Sequence, residues 1–329
     1  MNLLVVTSNR ARASFRQRVV LYLDVLRANG IELEVVEMPS GALSRLKLYR
    51  RMQKFDGLFL HKRRVNLSDV YWLRRYSRKI IYDFDDAVMY DSKNPDRLSR
   101  KRQKSFRRTV ELADLVIAGN SYLAEHARKF NPNVEVLPTG LDISAYKLRT
   151  DAKRDSKIHL VWIGSHSTLK YLASIKPALE EIGLRFDNVV LRIICDTFFD
   201  LGNMEVEKHC WSLETQAKDL ATSDIGLTPL LDNRFTRGKC GFKILQYAAV
   251  GLPIVASSVC VSGRYFCDGV TGLQAVDTSQ WVDRISRLIE NRELRERLGR
   301  ACRNKVREFD VGVLGKRLVS LIRKSVGNS

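Results

Sequence analysis

The sequence predicts an α/β chain built as two doubly wound domains, each with a mostly parallel sheet. Three observations predict it. Short apolar strand candidates alternate with helix-spaced segments along nearly the whole chain. The alternation is broken once, at 147–157, by a charged stretch poor in apolar residues, and then restarts. The length of 329 residues is long for one domain and natural for two, and 45% hydrophobic residues supply a sizeable core.

Residues 2–7 are an apolar strand candidate followed by a basic loop. Residues 17–28 have helical spacing through Val19, Leu23 and Leu26, with Gly30 in the C-cap position. Segment 31–36 alternates like a strand, 43–54 reads as a helix and 57–60 as a buried strand. A helix at 70–76, a strand at 79–82 and a long basic helix at about 95–112 follow. The first half closes with a strand at 115–118, a helix at 121–129 and a strand at 134–137. Beyond the linker come strands at 159–163 and 189–194 with a helix at 171–182 between them. Then follow a helix at 213–220, a strand at 225–227, a helix at 242–250 and a strand at 253–257. Helices at 281–289, 294–308 and 311–324 end the chain, and no short-period repeat is present. In doubly wound folds ligands bind at the carboxyl ends of the strands, so the site is expected there, facing the cleft between the domains.

The formal net charge is +19, and it is uneven. Residues 1–150 carry 29 Lys/Arg against 16 Asp/Glu, and the rest carry 27 against 21. Such a field favours anionic partners: a membrane surface, nucleic acid or phosphorylated substrates. Six cysteines without a CxxC or paired spacing read as reduced thiols, not a disulfide framework or zinc site. The apolar run at 2–6 is too short for a signal peptide, and no run of about 18 apolar residues occurs. A cytoplasmic location is therefore expected, on the inner face of the membrane if the protein is peripheral.

Segment 237–253 carries the strongest chemical signal. Gly238 and Gly241 free the backbone just ahead of a helix whose first amides lack internal partners. The helix dipole adds positive potential at that end, and Arg237, Lys239 and Lys243 surround it. Backbone donors and cations together suit a phosphate. Gln246 lies three residues beyond Lys243, in reach of a sugar hydroxyl. The bland alternative is a glycine-flanked helix with a solvated basic end.

The segment resembles the donor-binding stretch of family 4 glycosyltransferases of the GT-B fold. Neighbours also fit: Trp211 to Glu214 before a helix, Ser223 to Pro229 ending a strand, Asp268 to Gly272 after the segment, and Trp281 opening a helix. The resemblance covers roughly 158–309 and extends more weakly through the first half. It implies a GT-B arrangement: an acceptor-binding domain at 1–150, a nucleotide-sugar domain at 151–309, and a helix at 310–329 crossing back toward the first domain. It also implies donor binding by Arg237, Lys239, Cys240, Gly241, Phe242 and Gln246. The family often carries two glutamates eight residues apart, where this chain has Gly238 and Gln246.

Residues 162–170, a strand, a glycine turn and a polar helix entry, resemble the family's second phosphate loop. There Gly164 and Ser165 would meet the donor and Lys170 would neutralise the diphosphate. The alternative is an ordinary cap from Ser167 or Thr168 beside an exposed lysine. Residues 82–86, Tyr-Asp-Phe-Asp-Asp, follow a strand. Asp85 or Asp86 would bind an acceptor or serve as a general base. A metal site of the Asp-x-Asp type is disfavoured, because GT-B enzymes resemble one another in not needing one. The alternative is capping or ion pairing with nearby arginines. His61 is a weaker candidate base. Arg16, in a basic stretch after the first strand, and Asn120, after another, are acceptor-side candidates. Arg97, Arg100, Lys101, Lys104, Arg107 and Arg108 recur at helical spacing and, with Lys62, Arg63, Arg64, Arg74 and Arg75, could seat the domain on anionic lipid; the alternatives are nucleic acid on the same patch and a solvated helix face.

The resulting expectation is a glycosyltransferase that moves a sugar from a nucleotide-diphosphate donor to a hydroxyl of a glycan or lipid-linked glycan. The resemblance implies retention of configuration and no cofactor or metal. Nucleic acid is not an expected partner. The alternatives are a nucleotide-sugar epimerase and a non-catalytic basic GT-B protein that binds membrane or nucleic acid.

Overall fold

The computed structural model describes residues 1–148, 156–259 and 265–327. Most of the linker expected at 147–157, and Cys260, lie outside the described residues.

In chain order the first half runs β1 (Asn2–Thr7), α1 (Ala13–Arg18), α2 (Leu23–Ala28), β2 (Glu32–Glu37), α3 (Ala42–Arg51), β3 (Gly57–His61), α4 (Leu67–Tyr76), β4 (Ile80–Phe84), α5 (Arg100–Leu112), β5 (Leu115–Ala118), α6 (Ser121–Arg128) and β6 (Val134–Val136). The second runs β7 (Ile158–Ile163), α7 (His166–Ala173), α8 (Lys176–Arg185), β8 (Val189–Cys195), β9 (Glu205–Cys210), α9 (Gln216–Ala221), β10 (Ile225–Thr228), α10 (Phe242–Val250), β11 (Ile254–Ser257), β12 (Gly272–Ala275), α11 (Thr278–Glu290), α12 (Arg292–Val306) and α13 (Val311–Val326).

These elements form two compact units. The first comprises Met1–Leu141, Asn233–Cys240 and Phe309–Ser329, and the second Asp142–Asp232 and Gly241–Glu308. The first unit's sheet has the order β2-β1-β3-β4-β5-β6, all parallel. Its inner strands β1, β3, β4 and β5 are mostly apolar runs because helices cover both faces. Every residue of β3, β4 and β5 is buried. The core under the sheet is aromatic: Tyr82 stacks on Phe84, which meets Phe106 of α5 edge-on. The last helix, α13, completes this unit. It packs on α2, Val326 sits against Gly57, and Arg323 Nη2 donates to Asn29 O at 2.7 Å.

The second unit's sheet has the order β12-β11-β10-β7-β8-β9, again all parallel. Read from β9 this is the dinucleotide-fold order, with the winding reversing between β7 and β10. Trp162, Leu191, Ile193, Trp281 and Ile285 lie in its core.

The sequence reading and the structure differ at several places. The helix expected at 17–28 is two short helices, α1 and α2, joined by a 3-10 turn at Val20–Tyr22. The helix expected at 171–182 is α7 and α8, because Pro177 sits in the first turn of α8 and cannot continue a helix through it. Strands β9 and β12 were not expected. The long basic helix starts at Arg100, not 95, on a Ser99 cap that accepts from Arg102 N at 3.4 Å. Among the described residues no helix is long and apolar enough to cross a membrane.

Candidate donor and acceptor sites

In the second unit, the point where the winding reverses is held open by one side chain. β10 pairs with β7 only at Ile225 and Gly226. Beyond that, Tyr247 of α10 bridges the two strands: its hydroxyl accepts from Ile163 N at 3.1 Å and donates to Leu227 O at 3.0 Å. Burial holds this phenol well above its ordinary pKa, so the hydroxyl stays protonated and able to donate.

Two loops meet above that point. After β7 comes Gly164, where a side chain would overlap the Trp162 indole. Ser165 then caps α7, its amide donating to Thr168 Oγ1 at 3.1 Å, and His166 N donates to Asp196 Oδ1 at 2.7 Å. From the other side comes α10. Gly241, its N-cap, has φ +60°, a left-handed conformation that favours glycine, and it supplies no capping oxygen. The amino-terminal end of α10 also carries the positive end of its helix dipole, which favours an anion. Lys243, in its first turn, lies with Nζ 3.8 Å from the centre of the Trp162 ring, placing the cation beside the Gly164 turn. Phe242 is half-buried. Lys170 is exposed in the second turn of α7, 5.4 Å from the Tyr171 ring. The structure thus brings Gly164, Ser165, Gly241 and Lys243 together at the carboxyl ends of β7 and β10.

Gln246 requires a correction. It is 3% exposed, and its Nε2 donates to Tyr146 Oη at 3.1 Å and to Gln216 Oε1 at 3.0 Å. Trp211 Nε1 also donates to Gln216 Oε1, at 3.2 Å. Gln246 lies one turn into a helix that is buried from Ile244 onward, so its amide nitrogen is spent within a polar cluster of the second unit.

Residues 233–240 belong to the first unit, although the sequence reading grouped Arg237, Lys239 and Cys240 with the second domain. There they meet the carboxyl ends of β4 and β5. Lys239 Nζ lies 3.0 Å from Asp86 Oδ1. Lys62 Nζ lies 2.9 Å from Asp85 Oδ1 and also pairs with Asp86. The Cys240 thiol donates to Asp85 O at 3.1 Å. Asn120 caps α6, accepting from Leu123 N at 2.9 Å, and its Nδ2 donates to Lys239 O at 3.0 Å and Arg237 O at 3.4 Å. Tyr122 Oη donates to Arg234 O at 3.1 Å. The Arg237 side chain is exposed.

The electrostatics of this cluster are those of a partly buried ion network. Burial alone would raise the Asp86 carboxyl, but Lys239 and Lys62 hold it well below the ordinary range. Burial would lower both ammonium groups, and Asp85 and Asp86 keep Lys62 raised as Asp86 keeps Lys239 raised. Asp85 and Asp86, read from the sequence as base candidates, each have a lysine partner here, where arginines had been the expected ion-pair alternative. Lys239, read as a phosphate ligand, spends its charge on Asp86.

Gly238 explains one departure from the family pattern. A Cβ there would lie 2.7 Å from both the backbone nitrogen and the Cβ of Ala87. No glutamate fits that contact.

Arg16 and His61, the weaker candidates, are held by protein partners, and one residue was missed. Arg16, in α1, donates through Nη1 to Ala11 O at 3.2 Å, just ahead of its own helix. The cation that reaches the strand ends is Arg18, which sequence reasoning missed. It is buried, paired with Asp83, and donates through Nη1 to Leu137 O at 2.7 Å. His61 is buried beside Thr7, Nδ1 to Oγ1 3.1 Å, and burial lowers its pKa. The signal for Arg18 was its spacing on a helix three residues beyond Phe15, which is also buried.

Comparison with known proteins follows from this geometry. Residues 220–305 match the family model described as glycosyl transferases group 1. No curated protein matches the sequence. Solved structures do match the fold. Sucrose-phosphate synthase from Thermosynechococcus elongatus has a TM-score of 0.78 at 14% identity, covering 100% of both chains. Anabaena HepE in complex with UDP and glucose has 0.72 at 16% identity, covering 98% of this chain and 100% of that one. WaaG, a glycosyltransferase involved in lipopolysaccharide biosynthesis, has 0.69 at 13% identity, covering 97% and 99%. The fold is that of these two-domain GT-B enzymes.

Proposed function

We propose that this GT-B glycosyltransferase binds a nucleoside diphosphate sugar in its second unit and transfers the sugar, with retention, to a hydroxyl of a glycan or lipid-linked glycan bound by its first. The observation that supports this most is the meeting of Lys243 with the Gly164 turn at the strand-order reversal. The positive end of the α10 dipole, a cation and a glycine turn meet there. A diphosphate at that point would meet the positive end of the α10 dipole and the Lys243 ammonium, with Lys170 approaching from α7. As the glycosyl bond breaks, negative charge grows on the leaving phosphate, and fixed donors stabilise it more than they stabilise the ground state. The leaving phosphate is also the nearest base for the incoming hydroxyl in a retaining transfer. Asp85 and Asp86 then act by holding segment 233–240 against the first unit, not by taking the proton.

A uridine nucleotide is the first donor to test, because HepE, with a similar fold, was solved with UDP and with UDP-glucose. Titration calorimetry over a panel of nucleoside diphosphates is expected to show at least one that binds in the micromolar range. Lys243→Ala is expected to weaken that nucleotide about tenfold to a hundredfold, the worth of one charge-assisted contact. If no nucleotide binds better than about millimolar, the transferase reading fails.

A further inference from the structure

We propose that the first unit docks on an anionic phospholipid bilayer through the amino-terminal ends of α3, α4 and α5. Three leucines are exposed where burial would be expected: Leu43 at 79%, Leu67 at 66% and Leu98 at 56%. They are not scattered. Leu43 is the second residue of α3, Leu67 the first of α4, and Leu98 stands two residues before α5. These helices follow β2, β3 and β4 of one parallel sheet, and α3 packs on α4 as α4 packs on α5. Their amino-terminal ends therefore line up along the carboxyl edge of the sheet, and the leucines form a row on it. Tyr71, one turn into α4 and 62% exposed, lies just behind.

The charge around the row has one sign. The three helices carry twelve Lys/Arg and two acids. Both acids are engaged: Asp69 with Arg45 at 3.4 Å and Tyr49, Glu111 with Arg107 at 2.7 Å. Residues 92–110 hold eight Lys/Arg against Asp96 alone. Arg97, Arg100, Lys101 and Lys104 are exposed beside Leu98. Leucine rows with a cationic surround match the boundary between headgroups and acyl chains, where apolar side chains insert and cations meet lipid phosphate. A nucleic-acid surface would instead offer aromatic platforms and hydrogen-bond donors at its centre. The same sheet edge carries Lys62, Asp85, Asp86 and Asn120. An acceptor anchored in the bilayer would thus arrive at the end of the unit assigned to it. This last step rests on the proposed transfer; the docking itself does not.

The test is co-sedimentation with vesicles of phosphatidylcholine alone and of phosphatidylcholine with a quarter phosphatidylglycerol. The protein is expected to bind only the anionic vesicles, and less as salt rises. Leu43→Ser/Leu67→Ser/Leu98→Ser is expected to bind at least about tenfold more weakly, because three apolar insertions are lost. Lys101→Glu/Lys104→Glu is expected to lose about fivefold or more for each cation. Lys218→Glu, an exposed site on the second unit, is expected to change nothing. Circular dichroism and nucleotide calorimetry on each variant show that the fold and donor site are intact. Binding by the leucine variant equal to the parent overturns the proposal, as does binding indifferent to lipid charge, or binding to duplex DNA or RNA but not to vesicles. Vesicle binding without any nucleotide binding leaves the docking edge standing and removes the transferase reading.

Discussion

Asp86 shows how a residue's meaning changes once its neighbours are known. A carboxylate at a strand end reads as a base, but between Lys62 and Lys239 it is a counter-ion. Removing its charge should leave two half-buried ammonium groups sharing Asp85, and Asp86→Asn is expected to cost about 3 kcal/mol in urea unfolding. The pH dependence has a definite sign. The folded pKa of Asp86 is depressed, so its contribution is fully present above the ordinary carboxylate range and fades as pH falls below it. The raised lysines contribute below their ordinary range, and that contribution fades only as pH rises through their folded values. Parent and Asp86→Asn stabilities should therefore converge in strong acid. A gap that persists there would mean that packing, not charge, is what the variant loses.

Among the elements, Asn120 joins two structures that are far apart in sequence. Its oxygen starts α6 and its nitrogen holds the carbonyls of residues 237 and 239. Asn120→Ala is expected to destabilise by about 2 kcal/mol, one part for the cap and one for the tie. Asn120→Asp keeps a capping oxygen and loses the donors, so it should recover only the cap's share. Equal losses in the two variants would show that the cap contributes nothing. This element-to-element tie is invisible in sequence, because it spans more than a hundred residues. What sequence did show follows from periodicity. β1, β5 and α10 were read with the ends they have, since each is an apolar run or stripe between sharp polar or glycine boundaries. β9 was missed because Glu205, Glu207, Lys208 and His209 make it a polar edge strand, paired on one side only. The glycine-flanked helix starts at Gly164 and Gly241 were legible through glycine spacing. The burial of Gln246 was not, since it depends on Tyr146 and Gln216 from other parts of the chain.

At the scale of the whole molecule, the first unit is assembled from three separate stretches of chain. A fragment of residues 1–148 holds its complete sheet but lacks α13 and segment 233–240. It would expose the α2 face that α13 covers and leave Lys62, Asp85 and Asp86 without Lys239. Such a fragment is expected to show helical far-ultraviolet dichroism with weak near-ultraviolet signal and poorly dispersed amide resonances. A well-dispersed spectrum would show that the sheet and its own helices suffice. The discontinuity also bears on synthesis. During translation the six strands of the first sheet emerge early, yet residues 309–329, which close that unit, emerge after every strand of the second. The nascent protein therefore carries an open apolar flank for most of its time on the ribosome. Its first half must wait for a helix that has yet to be made.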